Sequence, residues 1–196
     1  MNPFTIIVPV FNEEDILKEN AEKLLQRSNK LGVPCEIVIV SNGSSDASEK
    51  IGKEIQNKNP QIRFFSLPEK GVGRAFKKGI LEAKYEHIIF LDADLSVDLS
   101  FIEKANHLLD NYVLVLGTKI NGLQNRSLLR KMGSFVFYLS VKFLIGLKFT
   151  DYAPCAKAYR RDFLITHFKA IDDYTSFVLN FAAIDSNKKQ AVIELP

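Results

Sequence analysis

An α/β fold, a mainly parallel sheet with helices on both faces, is predicted by three observations. Short apolar, β-branched runs alternate strictly with amphipathic stretches from Phe4 to Gly117, the order that yields parallel strands joined by covering helices. Each run gives way at once to polar, glycine or charged residues, as at the ligand-binding carboxyl rim of such a sheet. Hydrophobic residues make up 46% of 196 positions, enough for the core of a single domain.

Taken in order, Phe4–Val10 (FTIIVPV) is β-branched and bounded by Asn12, so it reads as the first strand. Asn12 is the expected cap of a helix whose first turn carries Glu13, Glu14 and Asp15 and which stops near Gly32 and Pro34. Cys35–Ser41 forms a second strand, and Asp46 with Glu49 has the spacing of a capping box for the next helix. Ile62–Leu67 is a third strand, Gly73–Lys84 a helix, His87–Leu91 a fourth strand, Leu99–Asp110 a helix and Tyr112–Gly117 a fifth strand. From Gln124 onward a long helix-like stretch, a loop around Tyr152–Cys155 and a final apolar helix and strand are expected.

Composition narrows the function. A charged fraction of 25% and a net charge of +3 are ordinary for a folded protein and too mild to suggest a nucleic-acid partner. Cys35 and Cys155 make no CxxC and no disulfide framework, which points to a reducing, cytoplasmic setting. The N-terminus has no basic, apolar signal-peptide pattern. The most apolar stretch, residues 135–147, is broken by Lys142 and falls short of the roughly 20 residues that span a bilayer. Residues 126–149 place Leu128, Met132, Val136, Leu139 and Phe143 at helical spacing, fringed by Arg126, Arg130, Lys131, Lys142 and Lys148. Such a stripe packs into a core or rests peripherally on an anionic membrane, at the cytoplasmic face.

The chemistry-bearing residues fall at the strand exits. Asp92 and Asp94 flank Ala93 directly after an apolar strand; carboxylates there hold a cation, accept a proton or simply end the strand in solvent. Alternation along an extended chain would turn both to one side, and hard oxygen donors suit Mg²⁺ or Mn²⁺. Gly71-Val72-Gly73-Arg74 opens a helix, where glycines let a backbone approach phosphate and Arg74 adds charge, or serve only as a turn. It lacks the third glycine of a dinucleotide fingerprint and follows the third strand.

V-P-V-F-N-E-E (8–14), S-N-G-S-S-D (41–46), G-V-G-R-A (71–75), D-A-D-L (92–95) and G-T-K (117–119), in that order, resemble the family 2 glycosyltransferases. The likeness is nearest to the dolichol-phosphate mannose synthase and polyprenyl-phosphate glucosyltransferase branch, and D-Y-A-P-C-A-K-A-Y-R-R (151–161) and E-L-P (194–196) extend it over nearly the whole chain. The resemblance implies a GT-A fold over residues 1–196, with 1–119 as the nucleotide-sugar-binding half and 120–196 as the acceptor-side half. It implies inverting transfer of a hexose from a nucleotide-diphosphate sugar to an acceptor, polyprenyl (dolichyl) phosphate in this branch, with Mg²⁺ or Mn²⁺ held by Asp92 and Asp94. By the same likeness Pro9, Phe11, Glu13, Ser41, Asn42, Gly71, Gly73, Arg74, Asp92, Ala93 and Lys119 face the sugar donor. Arg130, Lys157 and Arg160 face the acceptor, and Lys157 joins Asp92 and Asp94 as catalytic.

The chain departs from the family pattern at several points. Ser41-Asn42 stands where Asp-Asp is usual, Ser96 where the mannose-synthase branch has glutamine, and Cys155 where glycine is usual. The segment Tyr174–Ala183 lacks the glutamate that many relatives carry, with only Asp172 and Asp173 nearby. A hydroxyl acceptor needs a positioned base, worth about 10²–10⁴-fold, whereas a phosphate monoester, with a second pKa of about 6, is already ionised. The missing glutamate therefore points to a lipid phosphate. Rival readings are a non-catalytic nucleotide-sugar-binding module, transfer to a saccharide hydroxyl, and, on G-V-G-R-A alone, a nicotinamide-dependent oxidoreductase.

Overall fold

In a computed structural model, residues 1–117, 156–178, 180–181 and 192–195 are described. The strands are β1 (Phe4–Val10), β2 (Cys35–Asn42), β3 (Ile62–Leu67), β4 (His87–Phe90), β5 (Leu114–Gly117), β6 (Lys157–Arg160) and β7 (Val192–Leu195). The helices are α1 (Leu17–Asn29), α2 (Ser48–Lys58), α3 (Val72–Glu82), α4 (Ser100–Leu108) and α5 (Arg161–Thr166).

The strands form one sheet in the order β3-β2-β1-β4-β6-β5-β7. β1 pairs in parallel with β2 and β4, and β2 with β3. β6 runs antiparallel between β4 and β5, and β7 is parallel to β5. A mainly parallel sheet was expected; among the described strands the one that runs against the rest is β6. That reversal has a consequence for the rim: the first residue of β6, Lys157, lies opposite Phe90 and Leu116, near the carboxyl ends of β4 and β5.

Alternation along β1 divides the core between the two faces. Ile6, Val8 and Val10 join Leu17, Ala21 and Leu24 of α1, Ile55 of α2, and Phe101, Ile102 and Ala105 of α4. Ile7 turns the other way, to Phe76 and Ile80 of α3, Phe163 and Leu164 of α5, and Phe177, Val178 and Phe181. Helices therefore cover both faces. On the second face Phe76 stacks on Phe177 at 5.0 Å and meets Phe90 edge-on at 4.9 Å. This aromatic group locks the start of α3 to the end of β4 and the 171–181 segment.

Two expected caps are not formed. Asn12 adopts a left-handed backbone (φ 55°), donates its N–H to Ser44 Oγ and accepts the Ser45 N–H on Oδ1 at 2.8 Å. The side chain is consumed by the β2 exit, so α1 starts later, at Leu17, after a turn in which Leu17 N–H reaches Glu13 O. Glu49 bonds the Ser66 hydroxyl on β3 instead of closing a box with Asp46. Asp46 accepts the Ser48 N–H on one oxygen and the Glu14 N–H on the other. In both places a partner from a neighbouring strand exit outcompetes the local one.

Candidate functional site

The carboxyl exits of β1 to β4 and the start of β6 meet along one rim. The exits of β1 and β2 are stapled: Glu13 N–H donates to Ser48 Oγ at 2.9 Å, and Glu14 Oε2 accepts the Ala47 N–H at 2.8 Å. Behind them Asn42, 1% exposed, donates from Nδ2 to Val10 O at 2.8 Å and accepts Gly71 N–H on Oδ1 at 3.1 Å. Ser41 is buried, with its hydroxyl on Ser44 Oγ.

The Asp92-Ala93-Asp94 stretch follows β4 as a turn and not as extended chain, since the strand ends at Phe90. The alternation argument for a shared face therefore does not apply. The turn is set by other means. Ala93 is buried in the core and its carbonyl accepts Asn20 Nδ2 of α1 at 2.9 Å. Leu95 takes a left-handed backbone (φ 48°), and Asp94 Oδ1 accepts the Ser96 N–H at 3.0 Å. Asp92 is half-buried and Asp94 exposed.

Acidic groups converge here. Burial pushes the Glu13 carboxyl above the usual range, and the nearby charges of Asp94 and Asp46 push it further. Three exits thus put negative charge into one region, which a hard divalent cation would relieve. The oxygen-only donor set fits Mg²⁺ or Mn²⁺ better than zinc. Among the described residues no group of three His, Cys, Asp or Glu side chains is arranged to cage a metal unaided.

Lys157 is 0% exposed and its ammonium donates to Gly117 O at 2.8 Å, at the end of β5. Gly71 and Gly73 are required by packing: a Cβ on either would collide with the backbone carbonyls of Asp173 and Asp172. Arg74 pairs with Glu69 and with Asp173, the latter at 3.1 Å, and Lys77 also holds Asp173 at 2.9 Å. Asp172 Oδ2 is buried and has no hydrogen-bond partner among the described residues.

The structure thus gathers Phe11, Glu13, Asn42, Gly71, Asp92, Ala93, Asp94 and Lys157 along one rim, with Pro9 and Ser41 buried just behind it. It does not bring Arg160 there. Arg160 ends β6 opposite His87, at the far edge of the sheet, where it forms a two-point pair with Asp162. Because β6 is only four residues long and antiparallel, its two ends serve opposite rims. Lys119 and Arg130, Cys155 and the 126–149 stripe lie outside the described residues. Sequence reasoning missed Asn20, which anchors Ala93, and Lys70, which lies over Phe11. Neither has a local signal, since each acts across more than one element.

Comparison with known proteins gives a consistent relationship. The family model described as Glycosyl transferase family 2 matches residues 5–168. An undecaprenyl-phosphate 4-deoxy-4-formamido-L-arabinose transferase from Pectobacterium atrosepticum is 29% identical over 159 residues, covering 80% of this chain and 48% of that protein. One of the same name from Pseudomonas fluorescens is 31% identical over 159 residues, covering 80% and 46%. The chain thus spans about half the length of the curated relatives it matches. Among solved structures, a mannosyltransferase from Pyrobaculum calidifontis in complex with GDP-Man and Mn²⁺ superposes with a TM-score of 0.69 at 17% identity, over 98% of this chain and 54% of that one. A glucosyl-3-phosphoglycerate synthase from Mycobacterium tuberculosis, in complex with Mn²⁺, UDP and phosphoglyceric acid, gives 0.66 at 15% identity, over 98% and 68%.

Proposed function

The chain belongs to glycosyl transferase family 2 and has the GT-A fold, and on that premise we propose that it transfers a hexose from a nucleotide-diphosphate sugar to a polyprenyl phosphate. The observation that carries this reading is the buried-anchored Asp92-Ala93-Asp94 turn set beside Glu13 at the sheet's carboxyl rim. Support for the acceptor comes from the relatives named as undecaprenyl-phosphate transferases.

Asp92 and Asp94 would hold Mg²⁺ or Mn²⁺ against the donor diphosphate. When bound, such a cation supplies Lewis-acid stabilisation to the departing nucleoside diphosphate. The chain's own contribution is preorganisation. Asn20 and the buried Ala93 hold the acidic turn in place before ligand arrives, so little order is lost on binding. Lys157 brings a fixed positive charge to the same rim, suited to keeping two anions together, and Arg130 and Lys119 are assigned to the phosphates with it. Residues 1–119 would form the donor half and 120–196 the acceptor half, working at the cytoplasmic face of a membrane. Among the described residues no helix is long and apolar enough to cross one.

A second reading, transfer to a saccharide hydroxyl, is favoured by Asp172. Its Oδ2, buried and without a hydrogen-bond partner among the described residues, belongs to the residue whose backbone carbonyl packs against Gly73, and would accept a hydroxyl proton. Radiolabelled UDP- and GDP-sugars, with Mn²⁺ and either polyprenyl phosphate, the free polyprenol or an oligosaccharide, separate the two. Labelled polyprenyl phosphate sugar, with neither the alcohol nor the oligosaccharide used and Asp172→Asn still active, is the expected result. Transfer to the oligosaccharide alone, abolished by Asp172→Asn, would replace it with the second reading. No product from any combination would favour a non-catalytic sugar-nucleotide module.

A further inference from the structure

The Leu95 side chain has no polar atom to offer a ligand, yet its backbone is an uncommon one. Among the described residues only Asn12, at φ 55°, and Leu95, at φ 48°, take a left-handed backbone without being glycine. Asparagine tolerates that region through its short polar side chain, whereas a leucine Cβ crowds the following carbonyl there. Such a residue persists only where its surroundings over-determine it. Two contacts do so here. The Leu95 N–H closes a turn onto Asp92 O at 3.2 Å. Its side chain packs on the core shared by α1 and α4, as do those of Val97 and Leu99 after it.

The consequence falls on Asp94. Ala93 before it is buried and Leu95 after it is held on the same core, so the exposed Asp94 stands outward between two apolar anchors. The Ser96 N–H then fixes its Oδ1 at 3.0 Å. Asp92 begins the same closed turn. We infer that Leu95 is a positioning residue, whose core-anchored, left-handed backbone sets the affinity of the Asp92–Asp94 pair for a divalent cation. The inference rests on the nucleotide-sugar reading above and adds to it a residue on which cation binding depends.

The physical reason is preorganisation. A hard cation held by one or two carboxylates, with phosphate oxygens and water completing its shell, has few protein bonds to spend on ordering a loop. Carboxylates already fixed in place waste none of them. Groups that act from behind a metal's ligands are typically worth about 10–100-fold in its affinity. Leu95 acts from there without touching the cation. Its apolar side chain supplies the anchor, and the left-handed backbone is what that anchor imposes.

Calorimetric titration of UDP and GDP over a series of Mn²⁺ concentrations tests this on the wild type, Leu95→Gly, Leu95→Ala and Leu95→Met. Leu95 is only half-buried, so the variants are expected to fold, and unfolding midpoints in chelator check it. Leu95→Gly accepts the left-handed backbone without strain but carries no anchor, whereas Leu95→Met keeps an apolar side chain of similar size. Leu95→Gly is expected to raise the half-saturating Mn²⁺ concentration by about 10–100-fold. At saturating Mn²⁺ its nucleotide affinity should return to within about threefold of the wild type. Leu95→Ala should move the same way, and Leu95→Met should stay within about threefold throughout. A merely structural role would lower the unfolding midpoint and leave the Mn²⁺ requirement where it was. An unchanged requirement in Leu95→Gly and Leu95→Ala, or an equal rise in Leu95→Met, overturns the inference and leaves the nucleotide-sugar reading standing. So does wild-type binding that is as tight in chelator as in Mn²⁺. Binding of neither nucleotide at any Mn²⁺ concentration overturns both.

Discussion

Asn42 Oδ1 accepts the Gly71 N–H at 3.1 Å while the same side chain donates to Val10 O at 2.8 Å. One buried amide thereby ties the exits of β1, β2 and β3, using its acceptor end on an amide and its donor end on a carbonyl. An aspartate has no donor for Val10 O and would set a buried charge against it. Asn42→Asp is therefore expected to destabilise the protein by about 1–3 kcal/mol, read from urea unfolding. An unchanged midpoint would mean that the amide is not the strut described.

The acidic cluster should cost stability when empty and supply binding when filled. Burial, then Asp94 and Asp46, raises the Glu13 pKa in the folded protein. A raised carboxyl contributes stability below its unfolded value, about 4.3, and loses that contribution as pH rises through the folded value. At neutral pH the ionised form is a burden, so Glu13→Gln should raise the unfolding temperature of the free protein by about 1–2 °C. That gain should vanish below about pH 4. A gain that persists at acid pH would point to packing instead of charge.

Nucleoside diphosphate is expected to raise the unfolding temperature with Mn²⁺ present and much less with chelator, since a ligand stabilises only the state it binds. Asp94→Asn should remove most of the metal-dependent part while the free protein unfolds as before, because the Asp94 side chain is exposed. An equal shift with chelator in the wild type would rule out the metal's role.

At the opposite rim His87 is 6% exposed and its Nδ1 has no hydrogen-bond partner among the described residues. Burial lowers its pKa and outweighs the opposing pull of Asp110, Asn106 and Glu86, while Arg160 adds to the lowering. The unfolded chain thus takes up the proton first. Stability should fall as pH drops from about 6.5 through the folded value, with a slope of at most about 1.4 kcal/mol per pH unit for one proton. Urea midpoints from about pH 7.5 to 5 measure it. His87→Gln should flatten that part of the profile, and an identical profile in the variant would assign the slope elsewhere.

The basic-fringed stripe at 126–149 carries the expectation of peripheral membrane contact. Flotation with phosphatidylglycerol vesicles should lift the protein at low salt, and added salt should release it by screening. Protein that stays at the bottom at low salt would make the stripe part of the core.

Much of the fold was legible because its signals are local. The short, β-branched apolar runs at Phe4–Val10 and Cys35–Ser41, and the helical stretches of α3 and α4, need only a few neighbours to be read. The caps were not legible. Asn12 and Glu49 carry the right chemistry for local capping, but their partners, Ser45 and Ser66, come from other strand exits. Arg160 was misplaced for a related reason: three residues from Lys157 in sequence, it lies at the other rim because β6 is extended and reversed.

By itself the amino-acid sequence determined the alternating strands and helices, the placing of Asp92 and Asp94 after a buried strand, and the motif order that marks the family. These depend on residue type and short spacing, which the chain carries wherever it folds. Only the tertiary structure decided what those residues do for one another. It turned Asn42 into a strut, spent the freedom of Gly71 and Gly73 on the Asp172–Asp173 backbone, and raised Glu13 beside Asp94 and Asp46. It also laid Lys70 over Phe11. Each of these joins loops that only a parallel sheet brings together, because the ends of parallel strands meet at one edge however far apart they lie along the chain.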